Sequence, residues 1–242
     1  MIIRRDRKDL LFITQDAHAS LAADIVAQWR ADEFRSHPRR DVVLLAVREH
    51  DNGWSEEDAT TLIDAAGEPL DFVSAPIDVK QRIWPRATAR LAATDAYAAA
   101  LVARHAMTVY GQQRADPAWR AFLERMAGIE RELLERAGRQ APDRAQAATD
   151  DYRFLQAGDQ LSLIFCNNWT APFPRPGGRT ILKGTTLEIA PDPFDGARIP
   201  LRVPARRLPS RAFASAGDLR DALAGAPVEW IEGEAAGRPV EP

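Results

Sequence analysis

Arg48-Glu49-His50-Asp51-Asn52-Gly53-Trp54 puts an imidazole and a carboxylate side by side at the end of the apolar run Val42 to Val47. The run predicts a helix over about Asp41 to Asp51, with Val43, Ala46, Val47 and His50 on its apolar stripe, and Gly53 reads as its stop signal. Neighbouring residues on a helix point about 100° apart, so His50 and Asp51 cannot both face a core squarely. Both can reach one point just beyond the helix end, and a metal ion there would account for the pair.

Three further polar residues fall on apolar stripes of other predicted helices. His18 heads the stripe Leu21, Ala22, Ile25 and Trp29, in a helix that Thr14 or Asp16 could cap. His105 follows Ala98, Leu101 and Val102 in a helix that starts at Thr94-Asp95 and runs to about Gly111. Asp159 shares a face with Tyr152, Leu155 and Leu163 in a helix over about Asp150 to Asn167. Each alone reads as a satisfied core residue. Together they ask for one partner, because burying two carboxylates costs several kcal/mol each unless they are paired or bound to a metal. Asp159 has no lysine or arginine three or four residues away on its own helix. The expected ligands are therefore His18, His50, Asp51, His105 and Asp159, around a divalent ion (Mn, Fe, Zn or Mg). The fourth histidine, His37, sits in the connector Ser36 to Arg40 and reads as a solvated loop residue.

The rest of the chain frames these helices. Residues 2–14 read as a β-hairpin with a charged turn. Residues 52–90 carry Gly53, Gly67, Pro69, Pro76 and Pro85 and read as a long irregular segment with short helical turns. Asp116-Pro117 opens a helix bearing Trp119, Phe122, Leu123, Met126 and Leu133. Gly138 to Thr149 reads as a polar break. After Asn167 the chain turns to prolines and glycines (Pro172, Pro174, Pro176, Gly177, Gly178) and to β-like runs. These runs are Thr180 to Leu182, Thr186 to Ile189 and Ile199 to Val203; Pro191 to Gly196 reads as a hairpin connector, Asp218 to Ala224 as a short helix, and Gly233 to Pro242 as a frayed tail. The expected organisation is a single domain, 1–242, with a helical metal-binding core over 14–167 and a β-rich appendage over 168–232.

With 242 residues, 32 basic and 35 acidic side chains and a net charge of -3, nothing points to a nucleic-acid or anionic-membrane partner. The single cysteine, Cys166, excludes an intrachain disulfide and a cysteine zinc cluster. No apolar stretch approaches about 18 residues, and the first residues lack a signal pattern, so a cytoplasmic protein without a membrane span is expected. Phosphate-binding loops, nucleophile elbows and His-Glu-x-x-His are absent from the sequence.

The order His18, His50-Asp51, Asp159 over separate helices resembles the histidine-aspartate (HD) domain superfamily, helical metalloproteins that are mostly phosphohydrolases, with a minority of di-iron oxygenases. That resemblance covers about residues 14–167. A longer match, over nearly the whole chain, is to the bacterial "domain of unknown function 3891" family. It rests on Ile13-Thr14-Gln15 with His18, His50 to Trp54, and Leu155-Gln156 with Asp159 and Leu161-Ser162-Leu163. The fold class implied is mainly α: an HD-like helical core with an N-terminal hairpin and a small C-terminal β portion. The function implied is a metal-dependent hydrolase acting on a phosphate ester or nucleotide through a metal-bound water, with Asp51 or Asp159 accepting a proton. The alternatives are a di-iron oxygenase, with His105 as an extra ligand, and a small-molecule-binding protein with a buried polar cluster. Arg48, Arg104, Arg153 and Lys80 are the candidate phosphate-binding cations, with Arg82 beside Lys80, and Trp54 and Trp84 the candidate pocket walls.

Overall fold

The computed structural model describes residues 1–138, 143–175 and 178–240. The N-terminal run is a hairpin, as expected: β1 (Ile2–Asp6) pairs with β2 (Asp9–Ile13), Ile2 opposite Ile13 and Asp6 opposite Asp9. Leu10 and Phe12 of β2 face one side, Leu11 and Ile13 the other, and both sides are covered. That explains an unbroken apolar run where a half-exposed strand would alternate.

Eight α-helices follow among the described residues: α1 (Gln15–Ala27), α2 (Arg40–Glu49), α3 (Ser55–Thr60), α4 (Ile77–Ala92), α5 (Ala96–Tyr110), α6 (Pro117–Arg136), α7 (Arg144–Asn167) and, late in the chain, α8 (Ala216–Gly225). Their starts are written locally. Thr14 Oγ1 accepts from the Ala17 amide, Asp95 from Ala98, Asp116 from Ala118 and Ser215 from Asp218, each satisfying an N–H that the first turn leaves free. Helices α1, α2, α5 and α7 pack on one another, and α1 and α7 also touch the sheet.

The segment 52–90 is more ordered than expected. It holds a 3-10 turn at Asn52–Trp54, α3, and the sixteen-residue α4 with Pro85 inside it. Pro85 has no N–H to give to the carbonyl four residues earlier. That carbonyl, on Gln81, accepts instead from Arg125 Nη2 of α6 at 3.2 Å. Helix α7 starts at Arg144, inside the stretch read as a polar break; residues 139–142 of that stretch lie outside the described residues.

The β portion departs furthest from expectation. Strands β3 (Phe173–Arg175), β4 (Gly178–Lys183), β5 (Thr186–Ala190), β6 (Arg198–Pro209) and β7 (Val228–Gly237) join the N-terminal hairpin in one sheet, ordered β1-β2-β6-β7-β5-β4-β3. Helices hold 54% of the described residues, and the seven-stranded mixed sheet curls into a half-barrel, so the expected mainly-α, HD-like core with a small C-terminal β portion is wrong. The sheet draws on both ends of the chain because β2 pairs with β6. The first half of the expected frayed tail, 233–237, belongs to β7, which lies antiparallel to β6 and parallel to β5. Pro191 to Gly196 therefore does not close a hairpin: β7 stands between the strands that it links. Pro176 and Gly177, part of the expected proline-glycine cluster, and the last two residues of the chain lie outside the described residues.

One continuous apolar core runs through helices and sheet, and a smaller one under α8 covers the other side of β1, β2 and β6. No helix is long and apolar enough to cross a membrane among the described residues.

Candidate metal centre

His50 is the C-terminal cap of α2, and Asp51 opens the 3-10 turn that follows. The backbone leaves helical geometry at Asp51 (φ -107°, ψ 13°), and this change of direction lets both side chains approach one point. Gly53 does not act as a left-handed helix stop. A Cβ on it would lie 2.1 Å from the Ile83 carbonyl oxygen, so its bare backbone is what lets the turn press against α4.

His18 from α1, His105 from α5 and Asp159 from α7 meet this pair. His18 Nε2 lies 3.1 Å from Asp159 Oδ1 and 3.8 Å from Asp51 Oδ2. His50 Nε2 lies 3.4 Å from Asp159 Oδ1 and 3.6 Å from Asp51 Oδ2. His105 Nε2 faces the other oxygen, Asp159 Oδ2, at 3.6 Å. The three imidazoles are buried, and Asp159, with 16% of its side chain exposed, is the most open of the five residues. Two overlapping groups, His18-His50-Asp51 and His50-His105-Asp159, have ligand atoms close enough together to hold a divalent ion.

The outward ring nitrogens decide what the inward ones offer. His50 Nδ1 donates to the Val47 carbonyl at 2.7 Å, so its Nε2 presents a lone pair to the centre. Ser162 Oγ bonds to the carbonyls of Gly158 and Asp159 and lies 2.9 Å from His18 Nδ1; with its proton directed to a carbonyl, it accepts from His18. His105 Nδ1 is held by the Tyr152 hydroxyl at 2.9 Å. Lone pairs on His18 and His50 thus face carboxylate oxygens, an arrangement that repels itself unless a proton or a metal ion stands between. His50 Nε2 is buried without a hydrogen-bond partner.

The electrostatics express the same demand. Burial pulls the His50 pKa down, but the Asp51 and Asp159 carboxylates outweigh it and raise it to about 9. Burial raises Asp51 despite His50 and His18. Asp159 is held well below the usual carboxylate range: burial opposes this, but contacts with His18 and His50 overcome it. Burial drops His105 to about 4, so it is neutral near pH 7.

The expected cations and pocket walls lie as follows. Arg48 bonds to Asp24 and Ser20, Arg104 to Glu130 and Thr149, and Lys80 to the Val73 carbonyl. Arg153 stacks over Phe154 and faces Asp32. Trp54 is the buried last residue of the 3-10 turn, and the Trp84 ring lies 5.5 Å from His105. None of these four cations bonds to the cluster. The guanidiniums that reach the turn are Arg86 and Arg90 of α4, which donate to the Gly53 and Asn52 carbonyls and pair with Glu56 and Glu57. Their spacing with Arg82, one arginine per helical turn, is the sequence signal for this clamp, hidden while the segment read as irregular.

His37 is not a solvated loop residue: its Nε2 lies 3.2 Å from Asp151, a wholly buried carboxylate that the sequence reading passed over. Asp151 also takes two bonds from Arg39, at 2.6 and 3.1 Å, and one from the Tyr97 hydroxyl at 2.8 Å.

Residues 1–210 match the model of the family described as protein of unknown function (DUF3891). The chain belongs to this family. No curated protein and no solved structure matches it. Family membership thus supplies no activity, and the cluster has to be read from its own chemistry.

Proposed function

We propose that this member of the family is a metal-dependent hydrolase, with His18, His50, Asp51 and Asp159 as ligands and a phosphate ester as the first substrate class. One observation carries the reading: the buried inward nitrogens of His18 and His50 point at two carboxylates, with no lysine or arginine bonded to either carboxylate among the described residues. A divalent ion held there would lower the pKa of a coordinated water and supply hydroxide near neutral pH. The chain's own contribution is orientation. Val47 and Ser162 fix the imidazole tautomers, and Asp159 Oδ2, which faces His105 rather than His18 and His50, is the oxygen available to take a proton.

The test is elemental analysis of protein purified without chelator, followed by a phosphate-ester panel with added manganese. About one ion per chain, and activity lost in Asp51→Asn, support the proposal. Metal-loaded, folded protein inert on the whole panel overturns the phosphate-ester assignment. A second reading, a di-iron oxygenase, is favoured by Asp159 presenting one oxygen to His18 and His50 and the other to His105, as a bridging carboxylate would. Iron near two per chain, with oxygen consumption, would select it.

A further inference from the structure

A cavity of about 320 Å³ lies away from the metal centre, between the sheet and α8. Its walls are mostly apolar: Phe12 of β2, Pro204 and Ala205 of β6, Leu223 and Ala224 of α8, and Val228 of β7. Strand register explains the grouping. Phe12 pairs with Arg206, and Arg206 with Val228, so these three side chains share the side of the sheet that α8 covers only in part. The apolar surface continues outward through Val228 and Trp230, each about half exposed.

Two guanidiniums edge this space. Arg206 is half-buried, donates to the Ala226 carbonyl and has no carboxylate partner among the described residues. Arg220 pairs at the surface with its neighbour Asp221 and with no other acid among the described residues. The acid in the lining, Asp58, is matched by the Met1 amino group at 2.6 Å and so does not neutralise them. An apolar chamber edged by an unmatched arginine suits a ligand with an apolar body and one anionic head.

We infer that this cavity is a binding site for a small apolar carboxylate, its body against Phe12, Leu223 and Val228 and its carboxylate on Arg206 and Arg220. The size falls at the lower end of small-molecule sites, about 300–1,000 Å³. The site is independent of the metal centre, and its ligand need not be a substrate.

Sodium octanoate is the probe, with octanol as the uncharged control, followed by calorimetry and by the fluorescence of Trp230. Saturable binding at one octanoate per chain is expected, weakened about tenfold in Arg206→Met, with octanol little affected. Ala224→Trp fills the cavity from an exposed helix position and should abolish binding while thermal unfolding shows a folded protein. Absence of saturable binding overturns the inference, as does octanoate binding unchanged in folded Ala224→Trp. Equal loss of octanoate and octanol in Arg206→Met overturns the carboxylate assignment.

Discussion

Asp151 and Asp159 sit on one helix, eight residues apart, and meet opposite surroundings. Asp151 is fully buried and receives a two-pronged guanidinium from Arg39, together with His37 and Tyr97. Asp159 receives three imidazoles and no cation from lysine or arginine among the described residues. The first carboxylate is satisfied by the fold. The second faces only imidazoles, and the contrast within one helix sets a structural acid against a candidate ligand.

Asp159→Asn tests that distinction. It keeps the shape of the side chain but removes the charge that a divalent ion requires. The manganese-induced rise in melting temperature should largely disappear, while the chelated protein still unfolds cooperatively. An undiminished rise would show that the ion binds elsewhere.

Arg39→Ala probes the other acid. It leaves Asp151 buried with only His37 and Tyr97 as partners. Removing one member of a buried pair costs about 3–5 kcal/mol, and the exposure of Arg39 places this case lower, at about 2–3 kcal/mol. Urea unfolding measures the loss, and metal affinity per folded molecule should change little.

The metal effect should depend on pH with a definite sign. The His50 pKa of about 9 in the folded, metal-free protein stands above its ordinary 6.5. That protonation stabilises the metal-free fold fully below 6.5, and the benefit fades as pH rises through 9. A metal ion must displace the same proton, so its affinity climbs across this window. The gain in melting temperature on adding manganese should be larger near about pH 9 than near about pH 6. A gain that falls with pH would contradict the role given to His50.

Gly53→Ala should be more harmful than its size suggests. The added methyl meets backbone, the Ile83 carbonyl, which cannot swing aside as a flexible side chain can. The turn or α4 must shift, at a cost of about 1–3 kcal/mol by the usual scale of overpacking. Because the turn begins at Asp51, metal affinity should fall along with stability. Denaturant titration and calorimetry on the same preparation check both.

The cluster was legible because each member breaks a local rule: a charged or polar side chain on an otherwise apolar helical stripe. His18, His50, His105 and Asp159 all carry that signature, and their five-residue set with Asp51 does meet at one place. The sheet was not legible for the complementary reason. Val228 to Gly237 mixes valine, tryptophan and isoleucine with glutamates without a clean alternation, and from Gly233 it turns to small residues that read as a solvated tail until the neighbours are known. Those neighbours, β5 and β6, are specified by long-range pairing rather than by anything within the strand. Asp151 escaped because its cation comes from Arg39, 112 residues away, where a search along one helix cannot look.

Strand β7 has a consequence for synthesis on the ribosome. It follows the other six strands of the sheet in chain order, yet it occupies the middle of the sheet. A nascent chain halted before Val228 carries two half-sheets, β1-β2-β6 and β5-β4-β3, each with a raw edge where the final strand belongs. Until β7 has emerged those edges are open to pairing with other molecules, so deleting β7 should turn a stable product into an aggregating one.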